Sequence, residues 1–307
     1  MFEGFEARDV GIDGTGIDGS VTIRALVGGD GPPLLLLHGY PQTHAMWHLV
    51  APALARTHTV VATDLRGYGD SSKPAGDSEH ARYSKRAMAD DQVAVMRALG
   101  FDRWAVVGHD RGARVTHRMC LDHPASVSRA AVLDIVPTRH MFGTADKAFG
   151  MAYYHWFFLA QPHDLPERMI GADAEYYIRR KMAQWSGVDV TALSDVFAPE
   201  AFAEYLRCFT DRATIHASCE DYRAAATIDL EHDEVDVLKG RRVHCPLQVL
   251  WGAKGFIGRQ YDPLAVWRLY ADDVTGSPVG SGHFLAEEAP DETLAALEHF
   301  LGADRPG

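Results

Sequence analysis

Val21 to Leu26 alternates apolar and polar side chains with the two-residue period of a half-buried strand. Leu34-Leu35-Leu36-Leu37 is different: a short unbroken apolar run between Pro33 and Gly39, the pattern of a strand buried on both faces. Thr59 to Ala62, Trp104 to Val107, Val127 to Leu133 and Pro246 to Trp251 read the same way. A helical spacing runs from about Ser84 to Leu99, between the strands predicted at 59 and 104. Strands alternating with helices of this length form βαβ units, so the fold class is α/β with a mainly parallel sheet covered on both faces.

Between Pro137 and about Gly240 the pattern changes. Aromatic-rich helical stretches at Tyr153 to Leu159, Ala174 to Trp185 and Pro199 to Tyr222 follow one another, and no strand is legible among them. The expectation is an α/β core made of residues 1–136 and 241–307, with a helical cap inserted at 137–240. No repeat, low-complexity tract or flexible linker separates the two parts, so the cap should pack on the sheet. Its expected place is the carboxyl edge of the strands, where open α/β sheets bind ligands.

Composition narrows the partners more than the fold. The 307 residues are 47% hydrophobic and 23% charged, enough for one large core. A formal net charge of -12 without a basic run argues against nucleic-acid binding, which needs clustered Lys and Arg against phosphates. The same charge would repel an anionic substrate, so local arginines must dominate at any anion site. There is no basic segment followed by an apolar run at the N-terminus and no stretch near the ~18 apolar residues of a membrane span, so a cytoplasmic chain without a membrane partner is expected. Cys120, Cys208, Cys219 and Cys245 are scattered and read as reduced core thiols. His140, His163 and His216 lack metal-ligand spacing, and no metal or cofactor is expected.

The chemistry is concentrated at Gly108-His109-Asp110-Arg111-Gly112, which follows a predicted strand and precedes a helix running through His123. That is the context of a Gly-x-nucleophile-x-Gly elbow. Glycines flank the centre because a sharp strand-to-helix turn leaves no room for Cβ atoms. Asp is also a favoured helix N-cap, which would make Asp110 structural, but the flanking glycines favour the elbow. An elbow carboxylate needs no deprotonation at neutral pH and can attack an sp3 carbon, leaving an ester to be hydrolysed in a second step. Arg111 and Arg114 are three apart at the start of the same helix, share a face, and could fork onto a substrate carboxylate.

Together His38-Gly39-Tyr40-Pro41, Asp64-Leu65-Arg66-Gly67-Tyr68-Gly69, the Asp110 elbow and Gly282-His283-Phe284 resemble the haloalkane dehalogenase and epoxide hydrolase branch of the α/β-hydrolases. Within it the chain resembles the fluoroacetate dehalogenases, from Pro32 to Leu301. The resemblance implies an eight-stranded α/β-hydrolase sheet with a helical cap, and Asp110 as nucleophile. His283, late in the chain as triad order requires, would be the base. The triad acid has two candidates, Asp134 and Asp262; the run Leu133-Asp134-Ile135-Val136-Pro137-Thr138 matches the fluoroacetate dehalogenase context and selects Asp134. Backbone N–H groups of Tyr40 and Arg111 would form the oxyanion hole.

Where haloalkane dehalogenases and epoxide hydrolases typically carry Trp after the nucleophile, this chain has Arg111. Arg111 and Arg114 match the carboxylate-binding arginines of fluoroacetate dehalogenases. His155, Trp156 and Tyr222, in a His-Trp pair and a Glu-Asp-Tyr-Arg context, match their halide donors; by composition alone these aromatics would read as cap packing. Asp64 and Arg66 read as loop supports, His109 as a hydrogen-bonding support, and Trp185 either lines an entrance or packs the cap. The implied reaction converts a small-molecule 2-halo carboxylate, fluoroacetate above all, to glycolate and halide. An epoxide or haloalkane hydrolase with the same triad is the alternative, and a hydrolase-like ligand receptor another, which would not need a complete triad. Members of the family are often dimers; the residues themselves carry no interface signature.

Overall fold

A computed structural model describes residues 1–12 and 20–302. Its strands are β1 (Phe5–Ile12), β2 (Val21–Gly28), β3 (Pro33–Leu37), β4 (Thr59–Thr63), β5 (Trp104–His109), β6 (Val127–Leu133), β7 (Leu247–Gly252) and β8 (Val274–Val279). Among the described residues they form one eight-stranded sheet in the order β1-β2-β4-β3-β5-β6-β7-β8. The pairs β1–β2 and β2–β4 are antiparallel and the rest parallel. This is the expected α/β fold.

The central strands explain themselves. Leu34, Leu35, Leu36 and Leu37 are all fully buried, so successive side chains on opposite faces both meet covering helices. Each contributes on the order of 1.5–3 kcal/mol of burial. The helix Lys85–Ala98 is capped by Ser84, whose side chain accepts from the Ala87 amide, and buries Met88, Ala89, Val93, Val95 and Met96. The two strands missing from the hydrophobic pattern are the sheet edges. β1 is mostly exposed and polar, and β8 carries Gly276 and Pro278, which an edge tolerates because one side of its ladder is unused.

Between Thr138 and Leu238 the described residues form helices and no strand. The stretch expected as helical from Pro199 to Tyr222 is two helices, Pro199–Phe209 and Arg212–Ala226. The break has a local cause: Asp211 leaves helical geometry and its side chain accepts from the Ala213 amide, starting the second helix. These helices cover the carboxyl ends of β3 and β5. Tyr40, just past β3, is buried with its ring against His155, Trp185, Phe209 and Tyr222. The core as read from the sequence also spans residues 13–19 and 303–307, which lie outside the described residues.

Candidate active site

Asp110 sits where β5 turns into the helix Asp110–Asp122, with φ +45°, a left-handed conformation unusual for a residue with a side chain. The surrounding glycines make the turn possible. A Cβ on Gly108 would lie 2.4 Å from the Gly112 carbonyl oxygen, one on Gly112 2.4 Å from the His38 carbonyl oxygen, and one on Gly39 2.5 Å from the Asp110 Cβ. The tight chain path presents the carboxylate to the β3 loop, where the Tyr40 amide donates to Asp110 Oδ1 at 2.9 Å. The Arg111 amide belongs to the first helical turn, whose N–H groups have no intrahelical acceptor.

His283 joins Asp110 to Asp134. Its Nδ1 donates to Asp134 Oδ2 at 2.6 Å, and its Nε2 lies 4.0 Å from Asp110 Oδ2, too far for direct bonding and within reach of a shared water. Asp134 follows β6 with φ +54°, and its other oxygen accepts from the Gly252 amide at 3.0 Å. Asp262, the other acid considered, lies far from this chemistry in role: it accepts from the Ala265 amide and caps Pro263–Trp267. His109 donates through Nε2 to the His283 carbonyl at 2.8 Å, fixing the loop; burial pulls its pKa down to about 3, so it is neutral. Burial opposes charge on Asp110, but His283, then Arg111, outweigh it and hold the carboxyl below its ordinary range. Burial likewise works against protonated His283, and the Asp134 hydrogen bond and charge overcome it, raising its pKa.

The arginines are both buried, and both are partly committed. Arg111 places its Nε and Nη2 edge on the Asp221 carboxylate at 3.0 and 2.6 Å, leaving buried Nη1 without a partner among the described residues. Arg114 spends Nη1 on the Val136 carbonyl and Thr138 Oγ1, leaving Nε likewise unpartnered. The sequence reading of two free forks therefore needs narrowing: Arg111 offers one nitrogen, Arg114 its other edge. Burial, then the charge of Arg111, lowers the Arg114 pKa to about 10, so it stays cationic at neutral pH.

His155, Trp156 and Tyr222 meet the arginines in one aromatic cluster. The Arg111 guanidinium carbon is 4.2 Å from the Tyr222 ring centroid, that of Arg114 4.6 Å from Trp156, and the His155 and Tyr222 rings are 5.4 Å apart. Burial, then Lys181, holds the His155 pKa well below its ordinary value, so the imidazole is neutral. Trp185 contacts His155 and His283 and helps line a cavity of about 410 Å³ that reaches His283 and is bordered by Lys254 and Arg259. Trp185 therefore both borders this cavity and packs among the buried aromatics.

Sequence reasoning overlooked Asp221. It accepts from Arg111 and Tyr68 and is bonded to Lys85, whose second partner is Asp229. Burial opposes its charge, and Arg111 and Lys85 override that, holding the carboxyl well below its usual range. The signal was present: two cations buried at an elbow require a counter-charge. The loop supports are as read, with Asp64 accepting from the amides of His44 and Asp70 and Arg66 bonded to Asp91.

The profile described as alpha/beta hydrolase fold matches residues 32–290. With this sheet and elbow, the chain belongs to the α/β-hydrolase family and is a hydrolase. More particularly, it is 48% identical to Fluoroacetate dehalogenase of Burkholderia sp over its whole length and 97% of that relative. It is 33% identical to Soluble epoxide hydrolase of Corynebacterium sp. (strain C12), over 89% of this chain and 91% of the other. The solved structure of ALR0039 from Nostoc sp PCC 7120 is 57% identical and matches with a TM-score of 0.91 over 98% of this chain and 99% of that one. No helix among the described residues is long and apolar enough to cross a membrane.

Proposed function

We propose that the protein is a haloacetate dehalogenase that converts fluoroacetate and related 2-halo carboxylates to glycolate and halide. The observation that carries this reading is the pair of buried guanidinium nitrogens, Arg111 Nη1 and Arg114 Nε, left unpartnered beside the Asp110 elbow. A buried donor without an acceptor costs on the order of 1–3 kcal/mol, and a substrate carboxylate supplies the acceptors. It would hold the adjacent halogen-bearing carbon toward Asp110.

With Oδ1 held by the Tyr40 amide, Oδ2 is the attacking atom. It forms a bond to carbon as the carbon–halogen bond breaks, and the bonding pair leaves with the halide. N–H and O–H groups of His155, Trp156 and Tyr222 receive the departing charge, each contributing on the order of 1.5–3 kcal/mol. The ester is then attacked at Asp110 Cγ by a water that gives its proton to His283 Nε2, while Asp134 stabilises the imidazolium. The oxyanion on Oδ1 is met by the Tyr40 and Arg111 amides. Its collapse expels glycolate, protonated from His283, and regenerates the Asp110 carboxylate with one net proton released to solvent. The chain's own groups supply every step, and the reading includes no cofactor or metal.

The reading also takes residues 137–240 as a cap on a core of 1–136 and 241–307, acting as a cytoplasmic homodimer. The dimer rests on family resemblance and is tested by light scattering. Epoxide hydrolysis is the second reading, favoured by the Corynebacterium relative and by Tyr222, whose phenol could protonate an epoxide oxygen. Fluoride and glycolate release from fluoroacetate, compared between wild type, Asp110→Asn and Arg114→Gln, separates the two. Haloacetate turnover lost in both variants supports the proposal; turnover of neutral epoxides that survives Arg114→Gln, without haloacetate turnover in the wild type, overturns it.

A further inference from the structure

His163 and His216, which have no metal-ligand spacing in the sequence, are brought together by the fold with Glu167. One ligand atom from each lies within 4.8 Å of the others. They border a cleft of about 500 Å³ on the helical region whose lining includes none of the residues assigned to the reaction. His216 Nδ1 donates to Glu167 Oε1 at 3.0 Å, and the rings of His163 and His216 stand nearly perpendicular with centroids 5.4 Å apart. We propose that His163, Glu167 and His216 form a binding site for a borderline divalent transition ion of the zinc class, tying the helix Leu165–Ala172 to the helix Arg212–Ala226 that carries Asp221 and Tyr222.

The donor set suits that ion, the His216–Glu167 spacing already matches it, and the exposed His163 ring would close onto it from within 4.8 Å. Two imidazoles and a carboxylate are a zinc ligand set, with bonds of about 2.0–2.2 Å. Two ligands at that length and at angles between octahedral and tetrahedral stand about 2.9–3.4 Å apart, the range in which the His216–Glu167 hydrogen bond already lies. The ion would take the Nδ1 position, and the proton held there passes through solvent to Nε2, so His216 binds as a neutral imidazole. The rest of the Glu167 surroundings need not change. Arg223 donates Nη1 to Oε1 at 2.7 Å and Nη2 to Oε2 at 3.0 Å, leaving on Oε1 the lone pair that His216 now uses. Arg223 would remain as the outer partner that orients the carboxylate, a role common around bound metals.

Glu167 is paired with the Arg223 guanidinium, so a charged partner for the carboxylate is already in place. The contrary charges are Arg168 and Arg212, which also border the cleft; the Asp164 carboxylate, 3.9 Å from Arg168, offsets part of their field. Those arginines make the opposite occupant, an inorganic anion, the result to be tested against.

The experiment titrates the full chain with Zn²⁺ by calorimetry and follows thermal unfolding. All arms carry Cys245→Ser, because Cys120 and Cys245 have sulfurs 4.0 Å apart and would compete for the ion. Zn²⁺ should bind one equivalent per chain and raise Tm, a rise that EDTA reverses. His163→Ala, which removes an exposed ring, should weaken binding by more than about tenfold; His216→Ala should do the same, and His299→Ala should not. Co²⁺ should give visible d–d absorption in the parent and lose it in His163→Ala. Equal binding in the parent and both site variants, no saturable Zn²⁺ binding, or a Tm rise with phosphate and none with Zn²⁺ each overturns the proposal. None of these readouts depends on the reaction catalysed.

Discussion

Asp221→Asn tests whether Arg111, proposed above to bind the substrate carboxylate, is held by a counter-charge rather than by packing. Asp221 is fully buried and takes two donors from Arg111, one from Tyr68 and one from Lys85. The amide keeps its size but removes the negative charge that Arg111 bonds directly, and it must present an NH2 group where one cation now donates. Breaking a buried pair on one side costs about 3–5 kcal/mol, a large part of the roughly 5–15 kcal/mol that holds a domain together. Lys85 keeps Asp229 at 3.5 Å, so most of the loss should arise at Arg111. Urea unfolding at pH 7 should show that loss. The Asp221 pKa lies below its unfolded value, so its stabilising contribution is present above the ordinary carboxylate range and is lost as pH falls through the folded value. The acid limb of stability should therefore flatten in the variant. With Arg111 unanchored, KM for fluoroacetate should rise about tenfold or more, the equivalent of ~1.4 kcal/mol. A loss below about 1 kcal/mol with unchanged KM would refute the counter-charge argument.

In the proposed reaction His283 is a base only when neutral, and its pKa is raised, so the rate of ester hydrolysis should climb with pH through a midpoint above 6.5. His283→Asn should stop at the ester, seen as added mass on the peptide bearing Asp110; an unmodified chain after incubation with substrate would count against the two-step route. Lys254 and Arg259 border the cavity leading to His283 in a chain of net charge -12. Reversing both charges should lower kcat/KM for the anionic substrate at low salt, leave kcat alone and weaken its salt dependence, and an unchanged salt profile would remove them from substrate capture. Glu287 is buried between Gln42 and Tyr205, and burial lifts its pKa from 4.5 to about 8. A raised acid pKa stabilises fully below 4.5 and loses that contribution as pH rises to 8, so Glu287→Gln should gain on the wild type across this window by up to about 5 kcal/mol; parallel stability curves would show Glu287 ionised throughout.

The parts of the site legible in sequence are those whose geometry is local. The elbow is written in consecutive residues because Gly108 and Gly112 must clear backbone atoms on either side of Asp110, and a glycine required for clearance leaves a mark at a fixed offset. The central strands were legible for a similar reason, since burial on both faces demands an unbroken apolar run such as Leu34 to Leu37. β1 and β8 escaped because edge strands are under no such demand. Choosing Asp134 over Asp262 required the neighbouring residues, as both are acids beyond strands and only one reaches His283.

What the sequence could not express is the distribution of each arginine's nitrogens. Helical spacing puts Arg111 and Arg114 on one face, but it says nothing of Asp221, which lies 110 residues further on and takes the better edge of Arg111. That contact changes the substrate argument. With both forks free, two carboxylates or a larger dianion would fit as well as one small acid. With Arg111 reduced to Nη1 and Arg114 to the edge bearing Nε, and with the rings of Trp156 and Tyr222 stacked on the guanidinium groups, the remaining donors suit a single carboxylate. On the proposed function, Asp221 would restrict the substrate without touching it: the residue that pairs the buried Arg111 charge also occupies the edge that a second carboxylate would need.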